Sequence, residues 1–325
     1  MRILTLTNEQ VLALSDMRGA VDELHGAFLI PADQVESPVR TRFRVTGVRN
    51  VLLMPSFIRG GRDAVGLKLV SVYPDLGGSV PSIRAVVVLV DGRDGELKCL
   101  MGGTSLTALR TGAVSGLSCR YLARRNSESL AMIGAGGQGF FQVSGVASQL
   151  GIRRVSVFDV DEGRRKRLAE RCERELHLEA TVAQTVREAT SGADVVVTAT
   201  TAKEPLLDAG DVRPGTHVIA IGAYTPDARE LGSALVAKAS LYVDSVEAAL
   251  EEAGDLVIPM GEGVIGRTSI RGELSDLVSS RVAGRTSESE ITVFKAVGLA
   301  FEDNAVGWMV YSRAVAAGVG GWTEL

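Results

Sequence analysis

AMIGAGGQGFF, residues 131–141, decides how this chain is read. Gly134, Gly136 and Gly139 stand in the spacing G-x-G-x-x-G, between an apolar strand-like run and the start of a helical pattern. In that setting the first glycine makes a tight turn, the second lets backbone approach a pyrophosphate, and the third lets the helix pack on its strand. The helix N-terminus then faces the anion. Gly134, Ala135, Gly136, Gly137, Gln138 and Gly139 are therefore candidate dinucleotide-binding residues. Glycine is abundant here, 37 of 325 residues, so an ordinary glycine-rich turn is the competing reading. What favours the cofactor is Asp159, twenty residues beyond Gly139 and at the end of the next strand, VSVFD. A carboxylate there accepts hydrogen bonds from ribose hydroxyls and repels a 2′-phosphate, which favours NAD(H) over NADP(H). Its bland alternative is a helix cap. Arg164 and Arg165 keep NADP(H) possible, although on a helix they read more simply as solvated charge.

Working outward, residues from 125 onward alternate apolar strands with amphipathic helices: SLAMIGA, RVSVFDV, DVVVTAT, THVIAIGA and SLYVDS each precede a helix or polar loop. That rhythm predicts an α/β domain with a Rossmann-type, doubly wound parallel sheet buried on both faces. Upstream, RILTLT reads as a strand. One amphipathic helix is expected after it, with Thr7 as N-cap and Val11, Leu12, Leu14, Met17, Val21 and Leu24 at helical spacing. VLLMPSF, GLKLVSVY, RAVVVLVDG and LKCLMGG then read as strands separated by Gly, Pro and Asp. These make a smaller α+β domain, with a long helix over 105–124 leading out of it. The expected division is 1–122 with 300–325, and 123–299, the C-terminal helix packing back across the boundary.

A hydrophobic content of 46% with 23% charged residues is that of a soluble globular chain. Its net charge of −4 gives no reason to expect nucleic acid or an anionic membrane. Nothing approaches about 18 uninterrupted apolar residues. Cys99, Cys119 and Cys172 are widely spaced and odd in number, which suits reduced thiols in a cytoplasmic protein. They and the scattered histidines form no zinc-type pattern, so no metal is expected.

Three basic positions stand out in the first domain: Arg40 in SPVRTRF, Lys68 in VGLKLVSVY and Arg110 in LRTGAVSG. A strand lysine between Leu67 and Leu69 points opposite to both, so Lys68 is solvent-facing if those leucines face the core. The chain resembles the ornithine cyclodeaminase/mu-crystallin family, which includes archaeal-type alanine dehydrogenases and ketimine reductases. The matching pieces, in family order, are SPVRT, MPSF, GLKLV, LTALRTGAVSG, IGAGGQG, IGAYTPDARELG, YVDSVEAALEEAGD and ITVFKAVGLAFEDNAV. The resemblance implies a homodimer whose first domain binds an amino or imino acid and whose second binds NAD(P). Arg40 and Arg110 fall where the family binds the substrate carboxylate and Lys68 where it has a catalytic lysine, with Met54 beside them as a further substrate contact. Guanidinium forks suit a carboxylate, and a lysine between arginines is expected to have a lowered pKa. Thr111, Thr198, Ala199, Thr200, Gly222 and Gly298 are the further cofactor-binding candidates. Lys295, in the same VFKAVG segment as Gly298, reads as a surface charge.

The family shares hydride transfer at a carbon bonded to nitrogen and bearing a carboxylate. Cyclodeaminases add two acidic residues that manage a side-chain amine; here those positions are Leu52 and Tyr224. A neutral phenol is a poor base at pH 7, and a desolvated ammonium without a partner is costly. Asp227 and Glu230 are nearby, but TPDARE reads as Thr225 capping a helix with Pro226 and acidic residues in its first turn. The sequence thus favours reduction of a cyclic ketimine carboxylate such as Δ1-pyrroline-2-carboxylate or Δ1-piperideine-2-carboxylate. Lys68 would be the proton donor or relay, and Tyr224 a wall, donor or relay. The alternatives are reductive amination of a small 2-oxo acid, an ornithine cyclodeaminase, and a non-catalytic binder of cofactor and small ligand.

Overall fold

The computed structural model describes residues 2–60, 63–73 and 82–324. In chain order the first elements are β1 (Arg2–Leu6), α1 (Asn8–Ala13), α2 (Met17–Phe28), β2 (Val35–Glu36), β3 (Thr41–Thr46), β4 (Arg49–Ile58), β5 (Ala64–Val72), β6 (Ile83–Asp91), β7 (Leu97–Gly102) and α3 (Gly103–Leu122). There follow β8 (Ser129–Ile133), α4 (Gly139–Gln149), β9 (Arg154–Phe158), α5 (Glu162–Leu176), β10 (Glu179–Val182), α6 (Val186–Thr190), β11 (Val195–Thr198), β12 (His217–Ala220), α7 (Ser233–Lys238), β13 (Ser240–Val243), α8 (Val246–Glu252), α9 (Gly254–Gly261), β14 (Ile270–Glu273), α10 (Leu274–Val278), β15 (Thr292–Lys295), α11 (Ala300–Ala317) and β16 (Gly321–Glu324). The chain forms two compact units, Met1–Arg110 with Leu299–Leu325, and Thr111–Gly298.

In the first unit the strands run β16-β1-β7-β6-β5-β4-β2, with β3 also paired to β4. One face carries Leu52, Met54, Val70 and Val72, packed with Ala300 at the start of α11. Phe28 of α2 meets Phe301 of α11 edge to face, at 4.8 Å between ring centroids. Asn304 of α11 donates to the carbonyls of Ser56 (3.3 Å) and Ala64 (3.0 Å), which fixes the helix across β4 and β5. The other face is apolar yet open: Leu69 and Leu100 are each 41% exposed. Thr7 caps as expected, forming a capping box with Gln10. The single helix predicted after it is broken into α1 and α2, because Asp16 starts a new one by accepting from Gly19 N at 2.7 Å.

The second unit is a parallel sheet ordered β10-β9-β8-β11-β12-β15-β13-β14. Strand order runs outward in both directions from β8, the Rossmann-type doubly wound arrangement. Central strands such as Val195–Val197 are wholly buried, which is why they read as unbroken apolar runs.

The first unit's leading segment ends at Arg110 inside α3, and Thr111 begins the second unit. Within the second unit α3 and α4 cross closely: a Cβ on Gly145 of α4 would lie 1.9 Å from the Gly112 carbonyl oxygen of α3. Only glycine allows backbones that near. A Gly145→Ala substitution overpacks this crossing and is expected to cost about 1–3 kcal/mol, read as a lowered midpoint in thermal or urea unfolding.

Candidate active site

On β5, Lys68 lies on the face that packs against α11, with Gly66 and Val70, while Leu67 and Leu69 take the open face. Its 2% exposure overturns the solvent-facing alternative: the strand alternates as expected but with the opposite face buried. Met54 sits directly opposite Lys68 in the β4–β5 register and is also buried. Leu52, one step along the same face, lies in the apolar cluster with Val70 and Val72.

A buried ammonium needs a counterion, and α11 supplies it. Asp303 Oδ2 lies 2.5 Å from Lys68 Nζ. Arg110 donates through Nε to Asp303 Oδ1 (3.1 Å) and through Nη1 to Glu302 Oε2 (2.7 Å). Arg40, half-buried just before β3, lies close enough that its charge acts on Lys68. Burial is the largest influence on Lys68 and lowers its pKa to about 7; Asp303 opposes the shift, and Arg110 and Arg40 add to it. The arginines behind the lowered pKa were legible in the sequence, but its main cause was not. Three cations and two carboxylates leave one net positive charge when all are ionised, which suits a monoanion.

Glu302 and Asp303 went unassigned in the sequence because acidic residues in a helix's first turn have an ordinary explanation in the helix dipole. The signal was the helix itself: α11 is buried from Ala300 through Val310, charged positions included. An acidic pair with no solvent to face must face a cation.

In the second unit the glycine turn has the geometry a dinucleotide needs. Gly134 has φ +105°, and a Cβ there would come within 2.6 Å of the Ala199 carbonyl oxygen. Nothing lies within 4 Å of a Cβ position on Gly136 or Gly137, so backbone is open to an approaching phosphate. Gly139 begins α4 with Gln138 as its N-cap residue and packs against Leu168 of α5. Asp159 accepts from Ala135 N (2.7 Å) and Asp161 N (2.9 Å), bringing its carboxylate to the turn. The helix cap is Asp161, whose side chain accepts from Arg164 N, and not Asp159. Arg165 is not solvated: it is buried and donates to the Ala183 carbonyl at 2.7 Å. Arg164 is exposed beside Asp161.

Thr198 ends β11, with Ala199 and Thr200 following, and Gly222 and Tyr224 follow β12. Thr111, half-buried, opens this unit on α3. Gly298 closes it with φ +85°, its N–H donating to Asp244 Oδ2 at 2.6 Å. Two sequence readings fail here. Lys295 is fully buried, 2.8 Å from Asp255 Oδ2, and not a surface charge. TPDARE is not a capped helix: Thr225–Ala228 closes one turn, Ala228 N to Thr225 O at 3.2 Å, and α7 begins only at Ser233. After that turn the N–H groups of Glu230 and Leu231 both bind Asp255 Oδ1, which takes them out of a helical pattern.

Among the described residues no helix is long and apolar enough to cross a membrane. Comparison with known proteins places this geometry. A profile described as the ornithine cyclodeaminase/mu-crystallin family matches residues 2–318. A Δ1-pyrroline-2-carboxylate reductase from Bacillus cereus is 36% identical over 293 residues, 89% of each chain. The structure of Thermococcus litoralis Δ1-pyrroline-2-carboxylate reductase in complex with NADH and L-proline superposes with a TM-score of 0.95. It is 38% identical, over 99% of this chain and 100% of that one. An archaeal alanine dehydrogenase dimer with bound NAD gives a TM-score of 0.93 at 32% identity, covering all of both chains.

The opposed influences on Lys68 generate a test. Asp303→Asn removes the group that holds its pKa up, so its midpoint should fall below about 7; Arg110→Gln should move it upward. Side-chain amine resonances followed by NMR across pH separate the two directions.

Proposed function

The chain belongs to the ornithine cyclodeaminase/mu-crystallin family, and from that premise we propose that it is an NAD(H)-dependent reductase of a cyclic imino acid, with Δ1-pyrroline-2-carboxylate the favoured substrate and its six-membered homologue next. The observation that carries the reading is Lys68, buried with its pKa lowered to about 7 between Asp303 and Arg110, while Leu52 keeps the adjoining part of the same face apolar. A group that titrates near neutrality is suited to giving up a proton at working pH. The named activities of the Bacillus and Thermococcus relatives support the same substrate.

Arg40 and Arg110 bind the substrate carboxylate in this scheme. Arg110 is held in one orientation by Glu302 and Asp303, so its guanidinium needs little ordering when substrate arrives. The carboxylate brings the net charge of the cluster to zero, which favours protonated Lys68. Lys68 then delivers or relays the proton that completes the amine, and Asp303 keeps its ammonium populated. The cofactor contacts are the Gly134–Gly139 turn for pyrophosphate, Asp159 for adenosine ribose, and Thr111, Thr198–Thr200, Gly222 and Gly298 beyond them. Bound nicotinamide supplies the hydride for the imine carbon. Tyr224, two residues past Gly222, is kept as the wall or donor of this scheme. A dibasic substrate finds no carboxylate at Leu52 or Tyr224, which weighs against ornithine cyclisation.

Reductive amination of a 2-oxo acid is the second reading, favoured by the likeness to the alanine dehydrogenase. We further propose a homodimer formed through the open sheet face, where Phe43, Leu69 and Leu100 are exposed on the same unit. Three free, buried thiols fit a reducing cytoplasm.

With NADH, Δ1-pyrroline-2-carboxylate should be reduced to proline faster than pyruvate with ammonia is aminated, and ornithine should give no proline. Reduction should decline as pH rises through about 7, when Lys68 loses its proton, and Lys68→Ala should lower kcat by about 10²-fold or more. Nicotinamide absorbance with product chromatography checks each; full turnover in Lys68→Ala removes it as the acid. Asp159→Ala should narrow the preference for NADH over NADPH, read as the ratio of kcat/KM values.

A further inference from the structure

Glu230 belongs to no helix or named strand, yet its side chain is fully buried at the carboxyl ends of two central strands. Its Oε2 accepts from Thr198 Oγ1 (2.9 Å) and Gly222 N (2.8 Å), and its Oε1 from Thr200 N (2.7 Å) and Thr200 Oγ1 (2.8 Å). One carboxylate thus joins the segment after β11 to the segment after β12. Behind it, Asp255 receives the Glu230 and Leu231 N–H groups and pairs with Lys295 on β15. In front, the Ala199–Thr200 segment stands directly on the glycine turn: a Cβ at Gly134 would lie 2.6 Å from Ala199 O and 3.1 Å from Thr200 Cγ2. The chain of contact runs from Lys295 through Asp255 and Glu230 to the cofactor turn without leaving the second unit.

This placement selects one half of the dinucleotide. The glycine turn and Asp159 lie on the β8–β9 side and take pyrophosphate and adenosine ribose. β11 and β12 lie on the other side of β8, where strand order reverses, so their carboxyl ends meet the remaining nicotinamide half. We propose that Glu230 is a positioning residue for that half, holding Thr198, Thr200 and Gly222 in the arrangement that the nicotinamide riboside requires. It acts through those residues, since its own carboxylate is enclosed. The inference rests on the dinucleotide reading and adds a residue that the glycine motif does not contain.

Two ligands separate this role from general support of the fold. ADP carries only the adenosine ribose and pyrophosphate that meet Asp159 and the turn; NADH adds the nicotinamide riboside. Titrated calorimetrically into apo protein, Glu230→Gln should bind ADP within about twofold of wild type while its NADH Kd rises about tenfold. Thr198→Val, which leaves the carboxylate and removes one buried donor, should show the same pattern at about threefold, and carries the comparison if Glu230→Gln does not fold. Equal weakening of both ligands, or an unchanged NADH Kd, overturns the proposal. A wild-type chain that binds neither ligand overturns the dinucleotide reading itself.

Discussion

An ammonium placed on the buried face of a sheet is tolerated only if a carboxylate meets it there, because an uncompensated buried charge costs several kcal/mol. In this protein that carboxylate is Asp303. The requirement explains why α11 lies where it does in the first unit: Asn304 anchors the helix on β4 and β5, and Glu302 and Asp303 then fall against Arg110 and Lys68. It also sets the protonation of Lys68, since burial alone would drive it toward the neutral amine and Asp303 opposes that shift.

The second unit meets the same constraint differently. Glu230, Asp255 and Lys295 are all enclosed, but their bonds go largely to backbone N–H groups and threonine hydroxyls of neighbouring loops. In the first unit buried charge is arranged around a proton; in the second it fixes backbone. Burial pushes Glu230 toward its protonated form, Asp255 adds to that, and Lys295 and its donors oppose it.

The parallel sheet was legible because its strands are buried on both faces and so read as unbroken apolar runs between helical stretches, and the glycine turn because its backbone conformation demands glycine. Residues whose role depends on a distant partner were not. Lys68 alternates correctly in β5, but only α11 determines which face is covered. Lys295 looked like surface charge because nothing near it in sequence announces Asp255. TPDARE has every local mark of a helix start, and the tertiary bonds from Asp255 to Glu230 and Leu231 outweigh that propensity. The resemblance to a known family supplied Arg40, Lys68 and Arg110 as a set; neither it nor the pattern supplied Glu302, Asp303 or Glu230.

The first unit is made from two separated pieces of chain, with the whole of Thr111–Gly298 inserted between them. During synthesis the second unit is therefore complete while the first still lacks α11 and β16. Until the final residues emerge, the sheet face bearing Lys68 has neither its covering helix nor its counterion, and its apolar strands remain open to wrong partners. Loss of the last 27 residues would leave an intact second unit and an unfinished first one, so a stalled or clipped chain of this protein would keep its parallel-sheet unit and leave Lys68 without Asp303.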